Sequence, residues 1–480
     1  MRSELLKTTR RGIRWSMLSS LVQGAGFFLM FLILVRVLDQ TAFGVMGLAN
    51  VAIGLGNQGT DMGISAAVVQ RPEHSRRGLS SLYWFSLGLG GCFWLLSLPI
   101  GWGMAAFYDI PELRQLIFWS GLSFVFNAAG LQFFALFQRH MNFRSIARAE
   151  IAGAVALVAV TLSTAFAGAG VYCFVYGILT GSLVKNASLM ALSPRSRFPD
   201  WHFSARAIRP YMGFGSWQTG RSLLVYFILR LDTLIIGKYL GKELLGVYEI
   251  VKELLFRPLS FISPILGKVG FPLMASQQTD QPRLARIFLH HLRVANSLTV
   301  PLYVGFMLFA EPILRILIGE EFTTYAPLLT LLALYVLLRS LLSPMGSVIT
   351  AKGRPKLGFW WNAFVLSPYI FSLYIGVHYG LTGAAIGLIV CQFVLNLLAY
   401  WGVINRLVNI RVSELLRFVG IPVLLTIAAA APLIATYTWW SGEVIGTALA
   451  MLAFAGLLLL LYQRFNQDVY EQWLALVKRQ

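Results

Sequence analysis

The stretch VRVLDQTAFGVM, residues 35–46, lies between two long apolar runs, and a partial copy of it, GKYLGKELLGVY, returns at residues 237–248. At an offset of 202 residues Leu38 matches Leu240, Gly44 matches Gly246 and Val45 matches Val247. Each copy joins one apolar run to the next, so each reads as a turn between two helices. A repeat at this distance divides the chain into related halves.

Working outward, a helix needs about 20 apolar residues to cross a bilayer core. Fourteen stretches meet that length, near 13–38, 42–69, 79–107, 113–137, 146–167, 170–192, 208–236, 243–271, 284–310, 325–350, 357–378, 380–405, 415–436 and 441–463. Two junctions are tight, Gly168-Ala169-Gly170 and Tyr379-Gly380. The first and seventh helices differ by an even number, so both repeat turns follow helices of the same direction. That makes the halves parallel repeats about an axis along the membrane normal. The expected fold is all-α and polytopic, with about fourteen transmembrane helices. They would form an N-terminal six-helix lobe (1–192), a cytoplasmic linker (193–207), a C-terminal six-helix lobe (208–405), and two extra helices with a cytoplasmic tail (406–480). In that tail Val469, Tyr470, Trp473, Leu474 and Val477 have the spacing of an amphipathic surface helix.

Composition agrees. The 480 residues are 57% hydrophobic and only 12% charged, with a mean hydropathy of +0.69. Soluble domains carry roughly 25% charged residues, so a soluble fold is excluded. A net charge of +19 ordinarily raises nucleic-acid binding. Here the basic residues fall in alternate loops: Arg71, Arg76 and Arg77; Arg139, Arg144 and Arg148; Arg195, Arg197, Arg206 and Arg209; Lys352, Arg354 and Lys356. The intervening loops hold Arg114, Lys238, Lys242 and Arg315. Cytoplasmic loops are the basic ones, which places both termini in the cytoplasm. The charge is then explained by topology and anionic lipid headgroups, with no call for nucleic acid. The run 13–38 is too long for the apolar part of a signal peptide and reads as a retained first helix.

Cys92, Cys173 and Cys391 sit in separate apolar runs, and no metal-ligand spacing or phosphate-binding loop occurs. No cofactor, metal centre or nucleotide hydrolysis is expected.

The stretches LRLDTLIIGKYLGKELLGVYEI (229–250) and RVLDQTAFGVMGLANVAIGLGNQGTDMGISAAVVQ (36–70) carry a family likeness. Both resemble the Wzx-type oligosaccharide flippases, in particular the colanic acid exporter-like branch of the multidrug/oligosaccharidyl-lipid/polysaccharide superfamily. The resemblance extends over essentially the whole chain. It implies a bacterial inner-membrane transporter that moves undecaprenyl-pyrophosphate-linked oligosaccharide repeat units by alternating access during polysaccharide biosynthesis. It also implies a polysaccharide polymerase and export machinery as partners. The family supplies no invariant catalytic signature to transfer.

Ionisable groups inside a span cost roughly 2.5–3.5 kcal/mol each on insertion scales, and they usually face protein or a wet cavity. Arg221, Arg257 and Arg339 fall near mid-span in the second half; Gln23, Asn57, Gln58 and Asn127 hold the equivalent depth in the first. A guanidinium grips phosphate oxygens bidentately and stays charged, so the arginines are candidates for the pyrophosphate. The amides are candidates for sugar hydroxyls. Arg230 and Asp232 join the substrate-binding candidates, and Asp61, Glu150, Glu249 and Glu253 are candidates for ion coupling. The spacing of Glu249, Glu253 and Arg257 puts them on one helical face, where they equally well neutralise one another. Pro258, Pro264 and Pro272 mark a candidate hinge in the eighth span.

Other readings remain: an exporter of another lipid or small molecule in the same superfamily, a passive channel, or an O-antigen polymerase- or ligase-type membrane enzyme. The enzyme reading needs a large outer loop, whereas the longest outside segments, 311–324 and 107–112, are short. Two repeated lobes favour a carrier over a channel.

Overall fold

Where the helices begin follows from their capping residues. Ser75, Asn142 and Asp280 each turn a side-chain oxygen onto a first-turn amide, that of Gly78 (3.0 Å), Ser145 (3.2 Å) and Arg283 (3.1 Å); such caps satisfy donors that have no partner within the helix. The computed structural model describes residues 2–61, 64–65, 68, 75–195, 198–205, 208, 222–436, 444–467, 469 and 471. Its helices are α1 (Arg2–Val37), α2 (Gln40–Asp61), α3 (Arg76–Tyr108), α4 (Leu113–Arg139), α5 (Phe143–Phe166), α6 (Tyr172–Ala191), α7 (Leu231–Ala275), α8 (Gln281–Leu308), α9 (Ala310–Leu317), α10 (Ala326–Ser340), α11 (Met345–Ala351), α12 (Pro355–Val377), α13 (Gly380–Ala399), α14 (Asn405–Val408), α15 (Val412–Ala435) and α16 (Val444–Phe465). The chain is all-α in character.

Eight described helical segments are long and apolar enough to cross a membrane. Together α8 and α9, bent by 80° at their junction, form a possible ninth. Their outward faces are unlike those of a soluble protein. Ile445 is 74% exposed, Leu452 69% and Leu95 63%. Exposed apolar surface on this scale marks a helix that faces lipid. The buried faces carry small polar residues instead, among them Ser80, Ser81, Ser86, Ser120 and Ser123, which let helices approach closely without a hydrophobic drive.

The chain forms two compact units, residues 1–249 and 250–480. In the first, α3 packs on α4, α5 on α6 and α1, and α2 against α3 and α4. The segment 198–205 is laid against the start of α3. Trp84 Nε1 donates to the Asp200 carbonyl (3.0 Å) and stacks on Trp201 (4.6 Å), and Arg76 pairs with Asp200 (2.8 Å). Ser80 and Ser81 accept the amides of Asp200 and Ser204.

The two repeat turns meet in this unit. In α7 the residue with non-helical dihedrals is Gly241 (φ 81°, ψ 174°), which breaks the run into two helices; this conformation is open to glycine at little strain. Beyond the break, the helix crosses α2 at Gly246. A Cβ on Gly44 would overlap the Lys242 carbonyl and lie 2.9 Å from Gly246 N. A Cβ on Gly246 would overlap the Gln40 carbonyl and lie 3.3 Å from Gly44 N. Gln40 and Lys242 are themselves 202 residues apart, so the contact is reciprocal.

The expected hinge falls in α7, whose backbone stays helical past Pro258, Pro264 and Pro272. In the second unit α8 packs against α10 and α15, α12 against α13, and α16 on α15. Phe309, Leu433, Phe454 and Tyr462 form the core beneath α15 and α16, with Val469 of the tail buried there. Tyr470, Trp473, Leu474 and Val477 lie outside the described residues. Cys173 and Cys391 are buried, while Cys92 is exposed.

Candidate functional site

Three helices of the first unit turn amides toward one space. A cavity of about 890 Å³ is walled by α2, α4 and α6 and lined by Asn57, Asp61, Asn127, Gln138, Lys185 and Asn186, among others. Asn186 Nδ2 donates to Asn127 Oδ1 (3.0 Å) and to the Ser182 carbonyl (2.8 Å); Asn127 Nδ2 donates to Asn57 Oδ1 (3.1 Å). The chain of amides therefore runs across all three helices. Its middle member uses a donor and an acceptor, and among the described residues the Asn57 amide nitrogen, at the cavity, has no acceptor. Gly130 makes room for it: a side chain there would collide with the Asn186 amide.

Two charges share the cavity. The Asp61 carboxylate accepts the Ser65 amide (3.0 Å) at the end of α2. Lys185 holds its ammonium 5.9 Å from the Phe134 ring, at the outer limit of a cation–π contact. Among the described residues no carboxylate lies within ion-pair distance of Lys185. Sequence reasoning named Asn57, Asn127 and Asp61 and missed Lys185 and Asn186. Gln58 is exposed and absent from the lining, because neighbouring helical residues diverge by about 100°.

A second chamber, about 820 Å³, is lined by α2, α3, α4, residues 223–227 and the start of α7, and has the opposite character. Val51, Leu55, Phe93, Met104, Leu224 and Phe227 are among its lining.

The remaining candidates form separate clusters. On α1 and α5, Ser19 Oγ donates to Glu150 (2.6 Å), while Gln23 donates to Ser19 Oγ (2.8 Å) and Glu150 (3.4 Å). Across the break in α7, Arg230 lies 3.7 Å from Glu249, to which Thr233 also donates. Asp232 is buried and accepts from Tyr248 Oη (2.7 Å) and the Thr233 amide (2.9 Å). In the second unit Arg257 pairs with Glu253 one turn away. There Arg339 donates to Tyr335 Oη (2.9 Å), which bonds Tyr369 Oη (2.9 Å), and its guanidinium sits 5.7 Å from the Phe256 ring. Arg221 lies outside the described residues.

Residues 33–327 match the family described as polysaccharide biosynthesis protein. The chain belongs to this family. One relative is the lipopolysaccharide biosynthesis protein WzxC of Escherichia coli (strain K12), 29% identical over 88% of this chain and 86% of its own. Another is the succinoglycan biosynthesis transport protein ExoT of Rhizobium meliloti (strain 1021), 25% identical over 74% of this chain and 72% of its own. Among solved structures the lipid II flippase MurJ, in an inward closed conformation, superposes with a TM-score of 0.78. It covers 95% of this chain and 99% of its own at 12% identity. This family member therefore shares the fold of that transporter.

Proposed function

We infer that this protein is a membrane flippase for lipid-linked oligosaccharides, a transporter and not an enzyme. The observation that carries the reading is the amide chain of Asn57, Asn127 and Asn186 along a large cavity in a bundle of apolar helices. A sugar hydroxyl both donates and accepts, and a carboxamide offers both functions in return. Polar groups at membrane depth are expensive, so those lining a cavity there serve what passes through it. The names of the relatives and the shared fold point the same way.

The finer assignments belong to the same proposal. The chain has about fourteen spans in two six-helix lobes plus two, sits in a bacterial inner membrane, and keeps both termini cytoplasmic, as its basic loops favour. Asn57 and Asn127, with Lys185 and Asn186 added, contact the glycan. Arg257 and Arg339, with Arg221, take the pyrophosphate of an undecaprenyl-linked unit; Arg230, Asp232, Gln23 and Gln58 remain more distant candidates. Asp61, which lines the cavity, is the favoured ion-coupling group over Glu150, Glu249 and Glu253, which are not part of its lining. The delivered repeat unit is then consumed outside by a polymerase and export machinery.

The test is reconstitution in vesicles with labelled lipid-linked glycans, reading which leaflet holds the label. Movement by the wild type and its loss in Asn127→Leu are expected. A folded protein that moves none of several chemically distinct glycans would refute the reading and favour another lipid or a small molecule.

A further inference from the structure

Lys185 is the cation in the described lining of the amide-lined chamber, and no carboxylate among the described residues pairs with it. We propose that Lys185 takes a carboxylate of the cargo's glycan, so that the chamber selects oligosaccharides containing an acidic sugar; this rests on the flippase reading above.

Packing fixes where the Lys185 side chain begins. On α5 a Cβ at Gly153 would lie 2.6 Å from Lys185 Cβ and 2.9 Å from the Gly181 carbonyl. A Cβ at Gly181 would in turn lie 2.7 Å from Leu157 Cβ and 3.0 Å from the Gly153 carbonyl. The two helices therefore approach closely at this point, and the root of the lysine sits in the notch that Gly153 leaves. A lysine this near the end of α6, which closes at Ala191, ordinarily reaches along the helix for headgroups. This one instead holds its ammonium 5.9 Å from the ring of Phe134, itself part of the chamber wall.

An ammonium among apolar helices is expensive unless water or an anion attends it. Elsewhere in the chain the anion is supplied from within: Arg230 lies beside Glu249, and Arg257 beside Glu253. Lys185 and Asp61 line one chamber without pairing. Asp61 Oδ1 accepts the Ser65 amide (3.0 Å), which leaves Oδ2 for a hydroxyl donor.

The balance of charge narrows the anion. With Lys185 and Asp61 both ionised, the described lining is neutral overall. A doubly charged pyrophosphate would meet Asp61 with no second cation there to offset the repulsion. A sugar carboxylate carries a single charge, ionised at neutral pH. Its two oxygens accept from the N–H donors of the ammonium, while hydroxyls of the same glycan donate to Asp61 and exchange hydrogen bonds with the amides. Amides alone read hydroxyls and treat acidic and neutral sugars alike; the ammonium is what tells them apart.

To test this, the full chain in lipid nanodiscs is titrated with an undecaprenyl-pyrophosphate-linked oligosaccharide carrying one uronate, and with its uronamide, which differs in that charge alone. The wild type should bind the uronate form about tenfold more tightly, the worth of one charge-assisted hydrogen bond. Lys185→Gln should bring the two affinities level. Lys185→Met, apolar and of similar length, serves in its place where the glutamine variant does not fold. Equal binding of the two forms by the wild type would overturn the proposal. So would a preference that survives in the folded variant, including an equal loss for both forms, which would put the lysine on the pyrophosphate they share. Failure of the flippase reading looks different: the uronate form is bound in preference, yet the labelled glycan stays in its leaflet.

Discussion

The amide-lined chamber of the first unit and the arginines of the second handle polarity in opposite ways. Asn57, Asn127 and Asn186 bond one another in a line beside a cavity, and among the described residues the Asn57 amide nitrogen has no acceptor. Arg257 is neutralised by Glu253 on its own helix, and Arg339 is held by Tyr335 one turn back. A residue already balanced by its own helix has less to offer a ligand. The contrast teaches that neutral amides at depth are better evidence for a cargo path here than the more conspicuous charges.

The largest effect should come from Asn127→Leu. It removes both bonds of the chain's middle member and strands two amides, at about 1–3 kcal/mol each. Leaflet transfer should drop by at least about tenfold, tenfold being roughly 1.4 kcal/mol. A variant that kept wild-type transfer would erase the contrast from the amide side. Next, Arg339→Ala should reduce transfer by up to about tenfold, with Arg339→Lys recovering only part, since an ammonium lacks the planar fork. Full recovery by lysine would mean that charge alone matters there.

A smaller effect is expected of the Arg257–Glu253 pair. Both side chains are about a third exposed, so a double-mutant cycle in thermal unfolding should return a coupling of about 0.3–1 kcal/mol. If Arg257→Ala nevertheless abolished transfer while Glu253→Ala spared it, the arginine would belong with the cargo and the comparison would need redrawing. Smallest of all is Gln58→Ala, expected to leave transfer unchanged within error. It shares its neighbourhood in sequence with Asn57 but not its face.

The repeat turns, the all-α class and the polar positions of α2 and α4 were legible in sequence, because apolar length and buried amides leave a one-dimensional trace. Lys185 and Asn186 were not. Lys185 counts by sequence as a basic residue within a span, but that alone does not say which neighbours it faces; the cavity it shares with Asn57 and Asn127 is formed by tertiary packing. A hint existed in Gly130, whose missing side chain creates the space for Asn186. Glu249 was read with Glu253 and Arg257 as one helical face. Glu253 does pair with Arg257, and the break at Gly241 in addition folds Arg230 back beside Glu249, a tertiary effect that helical periodicity does not register. Gln58 is the opposite case: the 100° step between neighbours already argued against its sharing a cavity with Asn57.

Gly44 and Gly246 each occupy the space that a side chain on the other would need. Two copies of one polypeptide make such mirrored contacts about a dyad. In a homodimer any change at that point is made twice; in a single chain it is made once, so either position can be altered with its counterpart left intact. Gly44→Ala and Gly246→Ala should then lower the unfolding temperature by similar amounts. The difference between the two measures how unequal the two turns are in energy.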